Sequence, residues 1–199
     1  YIADAPVFAL PFGVFPNKGG RRSGLIAPAY GENALFGRYL SHLGYYWAIN
    51  DYMDVAATTD IFTRGSFALS TNYRYALLYN FGGNVNGSYR RYRYNERNDK
   101  DFRIEEAYNI GVQHHQTINP TSNLDVNFRF ASNNSYVFTN NLRDGLEQSI
   151  ESRASYSKRW EGSPNSFYAS ITRTQNLRDG SINEVLPSFS FNRSLTFPL

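Results

Sequence analysis

Ser66-Phe67-Ala68-Leu69-Ser70-Thr71-Asn72-Tyr73-Arg74-Tyr75 is the stretch whose reading decides the fold. Phe67, Leu69, Thr71, Tyr73 and Tyr75 alternate with Ser66, Ala68, Ser70, Asn72 and Arg74. Successive side chains of a strand point to opposite faces, so this segment has one apolar, aromatic face and one small or polar face. Working outward, the same period of two recurs. Leu124, Val126, Phe128 and Phe130 alternate with Asp125, Asn127 and Arg129. Ile104, Glu106, Tyr108, Ile110 and Val112 alternate with Glu105, Ala107, Asn109 and Gly111. Phe189, Phe191, Leu195 and Phe197 stand opposite Ser188, Ser190, Asn192 and Thr196, with Arg193 interrupting the apolar series. Helical periodicity is nearly absent; Asn141 to Glu151 has mild helical character but no apolar stripe.

Turn-forming residues punctuate the strands at Thr63-Arg64-Gly65, Asn95 to Asp101, Asn119 to Asn123, Gly162 to Asn165 and Arg178-Asp179-Gly180. The pattern predicts about nine strands, at 33–47, 53–63, 65–76, 79–95, 102–118, 123–132, 148–160, 166–177 and 185–197. A soluble strand has about 5 or 6 residues, and a tilted strand crosses a bilayer with about 9–11. Long strands, short turns alternating with longer loops and a polar second face are the pattern of a transmembrane β-barrel. A soluble β-sandwich would explain the alternation equally well, but the strand lengths and the aromatic excess less well. Aromatics are 17% of the 199 residues, and membrane barrels carry them as girdles at both interfaces.

Composition removes other classes. The formal charge of +3 is too mild for a nucleic-acid footprint. No apolar run is long enough for a transmembrane helix. With no cysteine there is neither a disulfide framework nor a thiolate metal site. No catalytic constellation emerges, and neither a metal nor another cofactor is called for. His114 and His115 are adjacent, so they point to opposite faces and do not share a metal. Asp51 and Asp54 lack the remaining ligands of a calcium loop and read as a solvated turn. Arg90, Arg91 and Arg93, interleaved with Tyr89, Tyr92 and Tyr94, read as a strand end among headgroups.

Residues 1–32 differ from the rest. Pro6, Pro11, Pro16 and Pro28 are half of the eight prolines, and five glycines accompany them. Proline donates nothing to a strand ladder, so this stretch is expected as edge strand or irregular connection ahead of the sheet at 33–199. The chain begins with Tyr1 and stops just after a strand-like run, so it reads as a segment of a longer one.

Ala5-Pro6-Val7-Phe8-Ala9-Leu10-Pro11-Phe12-Gly13, followed by Arg21-Arg22-Ser23-Gly24-Leu25-Ile26-Ala27-Pro28, resembles the junction of the LptD (OstA) family of lipopolysaccharide-assembly outer-membrane proteins. Leu43-Gly44-Tyr45-Tyr46-Trp47 through Asp54 is similar to that family's first barrel hairpin. Thr63-Arg64-Gly65 and Tyr73-Arg74-Tyr75 are similar to its next turn and strand. The Leu10-Pro11-Phe12-Gly13 wording and the short loops are closest in style to Bacteroidota members. The resemblance implies an all-β chain: an antiparallel transmembrane barrel segment of a larger barrel, preceded by a Pro/Gly-rich junction from a periplasmic β-jellyroll. It implies a non-enzymatic role at the outer membrane of a Gram-negative bacterium. Lipopolysaccharide or lipooligosaccharide would pass from an LptA-like periplasmic bridge through the jellyroll and leave at a lateral gate. An LptE-like lipoprotein would plug the barrel. On that reading Val7, Phe8, Leu10, Pro11, Phe12, Val14, Phe15, Pro16 and Pro28 form the lipid path or gate. Arg21 and Arg22 would meet phosphates, and Tyr45, Tyr46 and Trp47 would sit at the membrane interface. A porin or substrate-specific diffusion barrel is the alternative.

Overall fold

The computed structural model describes residues 21–95, 99–132 and 149–194. Within them the chain forms eleven antiparallel strands in one sheet. The strands are β1 (Gly24–Ile26), β2 (Ala29–Asn33), β3 (Gly37–Asn50), β4 (Met53–Phe62), β5 (Phe67–Leu77) and β6 (Phe81–Tyr94). They continue with β7 (Arg103–Asn119), β8 (Ser122–Ala131), β9 (Ser149–Arg159), β10 (Asn165–Asn176) and β11 (Ile182–Arg193). From β3 onward each strand pairs with the next in sequence, and both β1 and β2 pair with β3. The nine long strands expected from the alternation are β3 to β11.

Two boundaries differ from the expectation. The first long strand opens at Gly37 rather than 33, because Asn33 Oδ1 accepts the amides of Leu35 and Phe36 at 2.8 and 3.2 Å. This Asx turn, with Gly37 at φ +77°, closes a β2–β3 hairpin that the sequence reading missed. β9 at Ser149–Arg159 matches the strand expected at 148–160, so Ser149 to Glu151 are strand without helical character; 141–148 lie outside the described residues. The last strand begins at Ile182 and ends at Arg193, with 195–197 also outside the described residues.

Register carries the two faces from strand to strand. Trp47, Val55, Tyr73, Val85, Val112 and Phe128 stand side by side on one face. Ala48, Asp54, Arg74, Asn84, Gln113, Asn127 and Arg153 stand side by side on the other. The chain buries few apolar side chains: Ala68, Ala107, Ala131, Ile150 and Leu177 among the described residues. Leu25, Tyr45, Trp47, Leu69, Ile110, Phe189 and Phe191 are 46–72% exposed, all on the apolar face. A sandwich would cover that face with a second sheet, and the described residues form only one sheet. Leaving a dozen such side chains in water would forgo on the order of 20 kcal/mol, more than the whole stability of a typical domain. The face therefore requires an apolar surrounding, as the lipid side of a barrel wall has.

The two ends of the sheet differ. At one end the connections are Asp51-Tyr52, Leu78-Tyr79-Asn80, Pro120-Thr121 and 160–164. At the other they are 34–36, 63–66, 95–102, 132–148 and 177–181. Outer-membrane barrels keep short turns on the periplasmic side and longer loops outside. β1 runs antiparallel to β3 and enters from the short-turn end.

Candidate functional site

The sheet edge formed by β1 and β2 is one strand in two pieces. Gly24 to Ile26 lie opposite Tyr46 to Gly44, and Ala29 to Asn33 lie opposite Ser41 to Gly37. The register would run on unbroken through Ala27 and Pro28, but no ladder forms there. Two causes coincide. Pro28 has no N–H to give to either neighbour. Across from it, β3 carries a bulge: the pairing with β4 shifts between Leu40 and Leu43, and His42 adopts φ +59°. The His42 amide leaves the ladder and donates to Asp60 Oδ1 at 2.7 Å. The Pro-containing stretch is thus edge strand interrupted at its proline, as expected for the portion that is described.

An ion-paired cluster fixes the start of this edge. Arg21 Nη1 lies 3.2 Å from Asp54 Oδ2, and Arg74 Nε lies 2.8 Å from Asp54 Oδ1. Asp54 is only 1% exposed, whereas the Arg21 and Arg74 side chains are 55% and 58% exposed. Burying an unpaired carboxylate costs several kcal/mol, so two guanidinium partners are what make this position tenable. Ser23 Oγ accepts the Ala48 amide at 2.9 Å, extending the pairing of β1 by one further bond. The Arg21-Arg22-Ser23-Gly24 segment thereby docks onto the first hairpin through Arg21 and Ser23, while Arg22 stays exposed.

This corrects the reading of Asp54 as belonging to a solvated turn. Asp51 is in the exposed turn, but Asp54 is three residues on, inside β4 and facing the polar side. The partners that bury it come from 33 and 20 residues away, which no local pattern reveals. Arg21, expected to meet phosphate, already holds a carboxylate. Tyr45 and Trp47 lie on the apolar face, 48% and 55% exposed. Tyr46 does not join them: strand alternation turns it to the polar face with Ala56 and Asn72. Val7, Phe8, Leu10, Pro11, Phe12, Val14, Phe15 and Pro16 lie outside the described residues.

The polar face behind the edge is lined by Asn, Gln, Ser, Thr and paired charges. His115 Nδ1 meets Asp125 Oδ1 at 2.5 Å, and Arg153 Nη2 donates to Tyr168 Oη at 2.5 Å. His114 points the other way, against Tyr75 Oη at 2.8 Å, so the two histidines do diverge. Among the described residues no three His, Cys, Asp or Glu side chains are grouped to hold a metal ion. No described helix is long and apolar enough to cross a membrane. What the arrangement offers is a polar wall, an apolar wall and an edge strand with a gap in its bonding.

Residues 1–199 match the family model described as "LptD protein". The chain is 27% identical over 138 residues to the LPS-assembly protein LptD of Pseudoalteromonas atlantica, covering 69% of the chain and 17% of that protein. It is 24% identical over 213 residues to the LPS-assembly protein LptD of Shewanella oneidensis, covering 96% of the chain and 24% of that protein. With the protein of that name from Psychrobacter cryohalolentis it shares 30% identity over 139 residues, covering 68% of the chain and 13% of the relative. The chain thus spans a quarter or less of the length of these relatives.

Proposed function

This chain belongs to the LptD protein family, and on that premise we propose that it forms a portion of the apparatus that carries lipopolysaccharide or lipooligosaccharide into the outer leaflet of the outer membrane. Residues 1–32 serve as the end of a periplasmic β-jellyroll and its junction, whose last residues already pair onto the wall through β1 and β2, and 33–199 as the N-terminal portion of the barrel. The observation that carries the reading is the interrupted edge strand entering from the short-turn end, with Pro28 opposite the His42 bulge. An amphiphile leaving sideways through a wall must separate neighbouring strands, and each ladder bond adds about 1 kcal/mol to that opening. An edge strand that has already forgone bonds at Pro28 lowers the cost.

The glycolipid's acyl chains take the apolar path of Val7, Phe8, Leu10, Phe12 and Phe15, with Pro11 and Pro16 loosening the same segment as Pro28. Its sugars enter the polar interior lined by the Asp54 face. Arg22 is the phosphate contact, since Arg21 is committed to Asp54 and yields only in exchange for another anion. An LptA-like bridge supplies the substrate, an LptE-like lipoprotein fills the interior, and the apolar face meets outer-membrane lipid. The Bacteroidota affinity rests on the wording of the junction. No covalent chemistry is needed. A diffusion barrel is not favoured: it has no use for a Pro-broken edge anchored by an ion pair, and the family is not one of porins.

The test is photocrosslinking in cells. A photoreactive residue replaces Phe8, Phe12, Arg22 or Tyr39 in the full-length protein, and adducts are blotted for lipopolysaccharide. Adducts that depend on energised supply are expected. Their absence at all four sites, in a protein still inserted in the membrane, returns the diffusion barrel.

A further inference from the structure

The run Tyr89 to Tyr94 is split by its strand into two functions. Arg90, Tyr92 and Tyr94 turn to the polar face, where Tyr92 stacks on Phe36 at 4.9 Å and Tyr94 meets the same ring edge-on at 5.3 Å. Tyr89, Arg91 and Arg93 turn to the apolar face, opposite Leu69, Phe67 and Ile104 respectively. Arg91 and Arg93, with Glu106 beside Arg91, are adjacent charges on a face built mainly of apolar and aromatic side chains, and charge on the lipid side is costly except near an interface.

Their height places them near one. β6 starts at Phe81 on the short-turn end, and Arg91 lies ten residues along it. At about 3.3 Å per residue and a tilt of about 35–45°, that is roughly 25 Å, the height of the apolar band of an outer-membrane barrel. Arg91 therefore sits at the outer rim of the band, and Arg93 roughly 5 Å above it. Between them is a cavity of about 320 Å³ lined by Gly65, Arg91, Arg93, Phe102 and Ile104. The Arg93 guanidinium lies 5.2 Å over the Phe102 ring, a cation–π contact that holds it at the cavity. Glu106 takes the Nε of Arg91 at 3.4 Å and orients that side chain too. Gly65, at φ +83°, sets the tight turn that forms one wall of the cavity.

From this geometry we infer that the outward face of β6 and β7 carries a lipid site that binds a phosphate of a phosphorylated, multiply acylated glycolipid of the outer leaflet. Arg91 and Arg93 hold the phosphate as two convergent charge-assisted forks. Phe102 and Ile104 receive the adjoining acyl chain, whose remainder runs down Tyr89, Leu69 and Ile110. The site rests on the proposed function, with the short-turn end of the sheet periplasmic and the loop end outside. It is distinct from the gate: β3, β4 and β5 stand between β6 and the interrupted edge. A glycolipid held there occupies the wall beside the exit rather than the exit itself.

The experiment is native mass spectrometry of the full-length protein with its partners, purified in detergent, stripped of lipid and titrated with bis-phosphorylated lipid A. The wild type is expected to retain one tightly held lipid A, and R91Q/R93Q to bind it at least ten-fold more weakly while keeping the gel mobility of a folded barrel. R91K/R93K, which keeps the charge without the forks, is expected between the two and guards against a folding artefact. Dephosphorylated lipid A and phosphatidylglycerol are expected to bind no better to the wild type than to R91Q/R93Q. Equal retention of lipid A by wild type and R91Q/R93Q overturns the site. So does displacement of lipid A by millimolar inorganic phosphate, which makes the cavity an anion pocket only. Retention of lipid is read without transport, so failure here leaves the junction crosslinks standing, and the reverse.

Discussion

Replacing Asp54 by Asn tests whether the ion-paired cluster holds the entering strand onto the barrel wall. The substitution keeps the shape and removes the charge. Arg21 and Arg74 donate to different carboxylate oxygens, at 3.2 and 2.8 Å, and Asn has a single acceptor oxygen, so one arginine faces an NH2 that cannot accept and the other bonds a neutral partner. A bond to a charged group contributes about 1.5–3 kcal/mol and a neutral one about 0.5–1.5. Both arginines are more than half exposed, so water takes up some of the loss and the lower end applies. Detaching the junction breaks only the Arg21 bond, because the Arg74 bond lies within the wall between β4 and β5, so the net effect on attachment is about 1 kcal/mol, which raises the detached fraction about five-fold. Arg21→Gln leaves the Arg74 pair intact and should cost about 1 kcal/mol, or about five-fold. The assay is limited trypsin digestion of the purified full-length protein, following cleavage after Arg22 by mass spectrometry. When reclosing outruns cleavage, the rate reports the detached fraction. Both variants are expected to be cleaved about five-fold faster than wild type, with gel mobility of the folded barrel retained. Cleavage at the wild-type rate in both variants would refute the anchoring role, whatever the variants do to export.

Pro28→Ala restores one amide donor to the edge strand and should tighten the seam by about 1 kcal/mol; surface lipopolysaccharide should fall, and an unchanged level removes Pro28 from the gate. A Cβ on Gly44 would overlap the Ala57 carbonyl oxygen and crowd Thr58 Cα, so Gly44→Ala should cost about 1–3 kcal/mol and lower the yield of heat-modifiable folded barrel. Trp47→Ala should weaken membrane anchoring as read by detergent-free extraction, whereas Tyr46→Ala on the opposite face should not; equal effects would contradict the facing. In the loop after β10, the Ser181 hydroxyl and its amide, at 2.8 Å, hold the Asp179 carboxyl below its ordinary value. The turn is then fully held at neutral pH and loosens only as pH falls through that lowered value, which amide exchange at Ser181 would follow; loosening above the ordinary value would reverse the sign.

Much of this protein is legible in its residues. Alternation is a property of adjacent side chains, so Ser66 to Tyr75 and its counterparts give both the strands and the two faces without any partner strand. Turn chemistry is equally local, and places Thr63-Arg64-Gly65 and Arg178-Asp179-Gly180 where hairpins turn. Pro28 announces a broken edge because a missing donor is a property of the residue itself. The family, too, can be recognised from the ordered motifs of residues 5–76, and the match over the whole chain agrees.

What waited for the tertiary structure depends on residues far apart in sequence. Asp54 looks like its neighbour Asp51 until Arg21 and Arg74 converge on it across the sheet. Tyr45-Tyr46-Trp47 looks like one cluster until the pleat sends Tyr46 to the other side. The bulge at Ser41 and His42 shifts the count by one, so Tyr39 and Leu40 fall on the faces opposite to those that uninterrupted alternation from Tyr45 would assign. Arg91 and Arg93 read as a basic run until pairing with Phe67 and Ile104 puts both on the apolar face beside Phe102. Periodicity fixes which residues share a face of a strand; only the register between strands decides what stands beside them and at what height in the wall.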